Sequence, residues 1–435
     1  MRQLADLLNS FAGSAARLQS SLPTPPTAGM PPGAVGGGAV VPPPPLSPHA
    51  AAAHPALAAA EAALMAKLAG GASGCNAEYA ALLRLNDRLG LQGRFVAAAT
   101  HPELNRYCDV LPFDSNRVRL GQQPGSQPAV THGSSGVPAG PLASRAGSGS
   151  AGATAGAAAG TAAAASDYIN ASPLQRRSEE DIEWRYIAAQ GPLRDTREAF
   201  WQMVVEGGAS AVVMLTNLVE RGVHKCSRYF PEAPRTSKYL GRYLVSTRSL
   251  EQLSPVLIRR SVSVKDAGPL LAARRHAQQA QQAQPAAAPS FTVQHFHYSA
   301  WPDHGVPTSP EPLLALCAEL RRRGAHASPI VVHCSAGIGR SGVFCVLDVI
   351  TRRLLGLQGC QDAARGAAAV DVAALVADLR HQRLGMVQTR EQYQFCHMAL
   401  LHFIRRLLEQ PAPAAPAGGG KAASHTALVI PVRTS

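Results

Sequence analysis

The chain has 435 residues and a formal net charge of +13 at pH 7. Its length would allow several packed domains, but Ala, Gly and Pro crowd residues 1–75, 121–166, 266–290 and 410–435, which lack the large apolar side chains needed to offset ordering entropy. About one large domain's worth of chain remains; no run is apolar enough to span a bilayer, and no basic stripe is interleaved with aromatics as a nucleic-acid groove requires.

Residues 1–75 read as a low-complexity N-terminal tail with an isolated Ala-rich helix over 51–69. Leu4, Leu7, Leu8, Phe11 and Leu18, with Arg2, Arg17 and the single acid Asp6, also leave open an organelle transit peptide in residues 1–30. The folded domain is placed at 76–409. It opens with a helix from Asn76 to Leu89, whose apolar face is Tyr79, Leu82, Leu83 and Leu85. The segment Glu103-Leu104-Asn105-Arg106-Tyr107-Cys108-Asp109 follows. Residues 121–166, with Arg145 as their one charged residue, read as a disordered insertion, which the slow growth of loop-closure entropy with length tolerates. Phe200 to Val204 is helix-like, and Ala211 to Leu215 reads as a buried strand. Glu220 and Lys225 come next; spacing alone leaves open an exposed turn with two charges or a pair with a role in the site. A second disordered insertion covers 266–290.

The chain returns at Val293 to Tyr298 and then at Trp301-Pro302-Asp303-His304-Gly305-Val306-Pro307. Two prolines and a glycine frame a carboxylate on a rigid-ended loop suited to hinged closure, although an ordinary Pro-Asp-x-Gly turn has the same residues. Residues 311–323 form a helix that stops at Arg321-Arg322-Arg323-Gly324, ordinary C-terminal capping. Residues 356–370 read as a small low-complexity loop. Thr389 with Gln392 three residues on is a capping-box pattern that opens a core helix over 390–408. Residues 410–435 read as a disordered C-terminal tail.

The chemistry concentrates at Val332-His333-Cys334-Ser335-Ala336-Gly337-Ile338-Gly339-Arg340-Ser341-Gly342. Pro329 to Val332 is a β-branched run, and Val343, Phe344, Leu347, Ile350 and Leu354 recur at helical spacing. The motif is therefore a loop between a strand and a helix N-terminus, where backbone N–H groups converge and the dipole favours an anion. Gly337 and Gly339 let the loop curl, and a nest of amides from Ser335 to Arg340 fits a phosphate. Those amides and Arg340 are expected to depress the pKa of Cys334 and keep it a thiolate, while Arg340 clamps two phosphate oxygens. A buried Cys in a Gly-rich turn is the bland alternative.

A thiolate in a phosphate cradle, five residues before an Arg, resembles the signature of cysteine-dependent phosphatases, and HCSAGIGRSG resembles their tyrosine-specific, non-receptor branch. That resemblance covers about 76–120, 167–262 and 291–408. It implies an α/β fold, a central twisted mixed sheet flanked by helices with the phosphate loop between strand and helix. It also implies roles for other residues. Tyr107 walls a deep slot, although a core aromatic is its other reading, and Asp109 anchors the substrate peptide; Leu104 stands where the family usually has Lys. Glu220 orients Arg340, and Lys225 approaches the loop of the general acid Asp303. His304 departs from the apolar or aromatic residue usual there. Gln388 places the hydrolytic water, assisted by Gln392. Ser341 bonds the sulfur and helps it leave, and His333 tunes the thiolate from behind, with core packing as its other reading.

The expected activity is hydrolysis of phosphotyrosine in proteins through a cysteinyl-phosphate, with no metal or cofactor implied. A phosphotyrosine-binding pseudophosphatase and a phosphatase of broader specificity are the alternatives. The basic charge reads as a solvated surface or as attraction for phosphorylated, acidic substrates. Eight cysteines without a CxxC pair, and no secretory signal, fit a reduced intracellular protein rather than a disulfide framework or zinc site. A cytoplasmic monomer is expected, with the nucleus as the other compartment.

Overall fold

The structure is a computed structural model that describes residues 52–70, 74–121, 166–176, 181–268, 290–302 and 305–409. Both tails from the sequence reading, apart from 52–70 and 74–75, and both insertions, apart from their ends, lie outside these residues, as do Asp303 and His304.

The strands are, in chain order, β1 (Ala171–Gln175), β2 (Arg185–Ala189), β3 (Ala211–Met214), β4 (Val219–Glu220), β5 (Val223–His224), β6 (Thr236–Leu240), β7 (Tyr243–Ser254), β8 (Leu257–Asp266), β9 (Ser290–Tyr298) and β10 (Ile330–His333). Eight form one mixed sheet in the order β1-β2-β10-β3-β9-β8-β7-β6, and β4 pairs only with β5. β10 lies between β2 and β3 and is parallel to both, with His333 beside Ala189 and Met214. All four of its residues are buried, which is why the segment reads as an unbroken apolar run rather than an alternating one. From β9 outward the pairing is antiparallel.

The helices are α1 (Pro55–Leu68), α2 (Cys75–Gln92), α3 (Val96–Ala99), α4 (Arg197–Glu206), α5 (Glu311–Arg322), α6 (Gly339–Leu355), α7 (Ala363–Ala369), α8 (Val372–Gln382) and α9 (Arg390–Leu408). Alternate strand residues separate them into two layers. Ile187, Ala189, Val212, Met214 and Val331 share a cluster with Phe200, Trp201, Met203 and Val204 of α4. Tyr186 points the other way and meets Phe344 of α6 edge-on at 6.2 Å. α6 is buried along most of its length and packs against α5, α8 and α9. The fold is the expected α/β arrangement, and the β10–α6 junction opens at the carboxyl end of the central strand, where such sheets bind ligands.

Two expectations need correction. The helix in 51–69 is neither isolated nor part of a tail: α1 packs on α7 and α9, and Ala56, Leu57, Ala60 and Leu64 are all buried. The segment 356–370 is not simply a loop, because α7 occupies its second half. Asp362 starts that helix by accepting the N–H groups of Ala364 at 2.9 Å and Arg365 at 3.3 Å. The shared cause is small-residue packing. A Cβ on Gly366 would stand 1.8 Å from the carbonyl oxygen of Ala56, so the two backbones touch where neither sequence offers a large side chain. The buried pair Glu61–Arg405, at 2.7 Å, ties α1 to α9.

Candidate active site

Five residues, Cys334 to Ile338, join β10 to α6. Their curl depends on Gly337, whose φ is +76° and whose added Cβ would lie 2.1 Å from the Ala189 carbonyl oxygen. No other residue satisfies both conditions. The curl turns the Gly337 N–H back onto the Cys334 sulfur at 3.2 Å. Cys334 sits at the base of the cleft, 4% exposed.

Arg340 leaves the first turn of α6 and meets Glu220, which the β4–β5 hairpin carries under it. Nη1 donates to Oε1 at 2.6 Å and Nη2 to Oε2 at 2.9 Å. The guanidinium also donates to the Leu215 and Pro302 carbonyls, at 3.2 and 3.3 Å, and lies 5.8 Å from the Trp301 ring centre. Burial pushes the Glu220 carboxyl up, but the Arg340 fork, the Thr216 hydroxyl and the Asn217 N–H outweigh it and hold the group below its ordinary range.

The opposite wall is Tyr107. The Ser335 hydroxyl donates to the Lys225 carbonyl at 3.1 Å, so the Tyr107 hydroxyl, 2.9 Å from Ser335 Oγ, donates to Ser335. Two residues that the sequence reading did not single out hold this wall. Arg106 donates to the carbonyls of Gly191 (3.1 Å), Pro192 (2.8 Å) and His224 (3.2 Å), and its own N–H goes to the Gln190 side chain at 2.8 Å. Gln190 is buried in an otherwise apolar run after β2, and that polar interruption was the available signal. Asp109 lines the same rim.

Gln388 and Gln392 come from the start of α9. The capping box is formed: the Gln392 N–H donates to Thr389 Oγ1 at 3.2 Å, and Gln392 Oε1 accepts from the N–H groups of Gln388 and Thr389. Both glutamine side chains also face the phosphate loop, 3.0–3.1 Å from where a Gly339 Cβ would be. Capping and a place at the cleft are thus compatible for Gln392.

His333 is wholly buried. Its Nδ1–H donates to the Cys334 carbonyl at 3.1 Å, which leaves Nε2 to accept from the Tyr229 hydroxyl at 2.7 Å. Burial pushes its pKa down to about 4. The Ser341 hydroxyl is buried without a hydrogen-bond partner among the described residues, while the Gly337 N–H reaches the Cys334 sulfur.

These residues enclose a cleft of about 410 Å³. Tyr107, Asp109, Glu220, Lys225, Cys334, Ser335, Ala336, Gly339, Arg340, Gln388 and Gln392 all line it, and Val110, Trp301, Pro302, Gly305, Thr389 and Glu391 complete it. Gly337 and Ile338 form the buried back of the loop. Asp303 lies outside the described residues, although its neighbours Pro302 and Gly305 are at the rim. No cluster of three or more His, Cys, Asp or Glu suited to a metal occurs among the described residues. No described helix is long and apolar enough to cross a membrane.

Comparison with known proteins agrees with this geometry. The family model described as protein-tyrosine phosphatase matches residues 101–402. Human tyrosine-protein phosphatase non-receptor type 20 is 32% identical over 307 residues, 70% of this chain and 56% of that protein. Human tyrosine-protein phosphatase non-receptor type 7 is 39% identical over 252 residues, 57% of this chain and 59% of that protein. Protein-tyrosine-phosphatase PTP1 of Arabidopsis thaliana is 31% identical over 300 residues, 69% of each chain. The chain therefore spans only about half the length of some relatives it matches. From its phosphate loop to its overall match, the chain belongs to the protein-tyrosine phosphatase family.

Proposed function

We propose that the protein hydrolyses phosphotyrosine in proteins. The observation that carries this reading is Cys334 at the base of a cleft, its sulfur 3.2 Å from the Gly337 N–H, between a fixed Arg340 and the Tyr107 wall. The Cys334 thiolate attacks phosphorus along the line of the P–O bond to the tyrosyl ring. An S–P bond forms, the P–O bond breaks, and Asp303 gives its proton to the departing phenolate oxygen. Arg340 and the loop amides take up the charge on the equatorial oxygens. In the second half, Gln388 orients a water whose oxygen bonds to phosphorus as Asp303 accepts its proton, and the S–P bond breaks to release inorganic phosphate and the thiolate. Gln392 assists Gln388, Glu220 and Lys225 support Arg340 and the acid loop, and His333 holds the Cys334 carbonyl from behind. Ser341, whose hydroxyl has no partner among the described residues, turns to the sulfur once the S–P bond forms.

Phosphotyrosyl proteins are the proposed partners, with Asp109 accepting N–H groups of the substrate backbone. The cytoplasm is the proposed compartment, since all eight cysteines are unpaired thiols.

Cys334→Ser tests the reading. A serine hydroxyl does not ionise near neutral pH, so turnover of a phosphotyrosine peptide should vanish while the melting temperature stays within a few degrees. Substantial residual turnover would remove Cys334 as nucleophile. A native protein that binds phosphotyrosine peptide without turnover would be the pseudophosphatase.

A further inference from the structure

Four successive carbonyls of the phosphate loop point away from the cleft, and each is held there from outside. Ser335 O accepts the Gly191 N–H at 2.8 Å. Ala336 O accepts Arg383 Nη2 at 3.2 Å and Gly337 O accepts Arg383 Nε at 3.0 Å. Ile338 O accepts the Val387 N–H at 3.2 Å. In a trans peptide the C=O of one residue and the N–H of the next point in opposite directions. Fixing the carbonyls of Ala336 and Gly337 outward therefore fixes the N–H groups of Gly337 and Ile338 inward. The Gly337 N–H is indeed turned in, onto the Cys334 sulfur at 3.2 Å. Two of the four outer bonds come from backbone N–H groups. The other two come from a single side chain.

That side chain is in an unusual setting. Arg383 is 0% exposed and lies just before the loop that carries Gln388. Its remaining donors go to Ser172 Oγ at 3.2 Å and Asn170 Oδ1 at 2.8 Å, so all its acceptors are neutral. It makes no ion pair with a carboxylate among the described residues. Burial pushes its pKa down to about 10, which still leaves it charged at neutral pH. A buried charge is normally paired, because desolvation is costly. Here the free positive charge lies one peptide unit behind the place where a dianion would sit.

We propose that Arg383 is a positioning residue of the phosphate site: its fork clamps the Ala336 and Gly337 carbonyls so that the next two amides face the substrate, and its unneutralised charge adds to the field that holds the phosphoryl group. It touches neither substrate nor sulfur. Arg340 binds the phosphate from the front and has its own acid, Glu220, whereas Arg383 works through the backbone. This rests on the phosphatase reading above.

The test uses the full chain with Arg383→Met and Arg383→Lys. Tungstate, a tetrahedral dianion, is the binding probe, and kcat and KM are measured with an aryl phosphate. Removing one preorganised oxyanion donor typically costs about 100-fold in kcat. Arg383→Met is expected to lose about 100-fold in kcat, with a smaller rise in KM, and to weaken tungstate binding at least tenfold. Arg383→Lys keeps the charge but gathers its donors on one nitrogen in place of the planar fork. It should recover part of the tungstate affinity while kcat stays about tenfold low. Native kcat and tungstate affinity in the folded Met variant, with only the melting temperature lowered, would make Arg383 a simple brace and overturn the proposal. If Met does not fold, native behaviour of the Lys variant overturns it, and the tenfold loss supports it. A native chain that neither turns over the aryl phosphate nor binds tungstate would instead fail the phosphatase reading itself.

Discussion

Glu220 grips Arg340 at two points, 2.6 and 2.9 Å, from a two-stranded hairpin that belongs to no other sheet. A carboxylate carried on so small an element can set the guanidinium only because it is itself fixed, by the Thr216 hydroxyl at 2.9 Å and the Asn217 N–H at 3.1 Å. Glu220→Gln keeps the volume and loses the charge and one acceptor. It should lower kcat/KM for an aryl phosphate by about 10- to 100-fold, the scale of a small misplacement of a reacting group. Because the folded pKa of Glu220 is lowered, its contribution to stability is complete above its ordinary value of 4.5 and is lost only as pH falls through the lowered one. Native stability measured from pH 7 to 5 should therefore carry no loss from this pair.

A different group governs that pH range. His295 and His297 on β9 and His333 on β10 flank β3; His295 and His333 are buried and His297 is half-buried, and burial holds His297 and His333 down to about 4 and His295 well below its usual 6.5. They stay neutral in the fold while the unfolded chain protonates below about 6.5, so the unfolded state binds more protons and stability is lost as the pH is lowered. Each should cost about 1 kcal/mol between pH 6 and 5, from the 1.36 kcal/mol that one pKa unit represents. Together these three should account for about 3 kcal/mol of the loss that urea unfolding shows over that unit. His297 Nε2–H donates to the Thr216 carbonyl at 3.0 Å, a bond that Gln can reproduce. His297→Gln should reduce the loss by about a third, and an identical pH slope in the variant would contradict this account.

What the sequence disclosed, and what it hid, divides along physical lines. The phosphate loop was legible because β-branched strand, glycine curl and helical repeat fall in order within about a dozen residues, and local chemistry decides all three. Tyr107, Gln388 and Glu220 were reached through the family resemblance, and the structure brings them to one cleft. Arg106, Gln190 and Arg383 were not legible as site residues. Each acts on backbone carbonyls from far along the chain, and a carbonyl leaves no mark in a sequence. The α1–α7 contact was hidden for the opposite reason. Its surfaces are Ala and Gly, and composition treats such segments as unable to pack.

That contact makes a stability prediction. Leu57 and Leu64 of α1 are almost completely buried. Leu57→Ala should cost about 2–5 kcal/mol, the range for buried Leu truncations, and lower Tm by several degrees. Gly366→Val should do comparable damage, because its side chain meets the Ala56 backbone. A Tm unchanged in both variants would mean that α1 does not pack there in solution.

The last prediction concerns the depth of the cleft. Tyr107 does two things that different substitutions separate. Its ring walls the slot, and its hydroxyl donates to Ser335, which donates in turn to the Lys225 carbonyl, so the wall is bonded to the phosphate loop. A phosphotyrosyl ring carries phosphorus several ångströms further from its backbone than phosphoserine does. With the wall in place, only the longer side chain brings phosphate to Cys334 while the peptide backbone stays near Asp109. Stacking on the ring should contribute about 0.5–1.5 kcal/mol beyond area burial. Discrimination against phosphoserine should be much larger, since a phosphate that stops short loses the attack geometry itself. Tyr107→Phe keeps the wall and removes one hydrogen bond, worth about 1 kcal/mol, so kcat/KM for a phosphotyrosine peptide should fall about fivefold with the preference over phosphoserine intact. Tyr107→Ala removes the wall: kcat/KM for the phosphotyrosine peptide should fall further and the preference should narrow, while a small aryl phosphate, which needs no peptide anchor, is less affected. Equal kcat/KM for phosphotyrosine and phosphoserine peptides in the native protein would set the tyrosine-specific reading aside and leave a phosphatase of broader specificity.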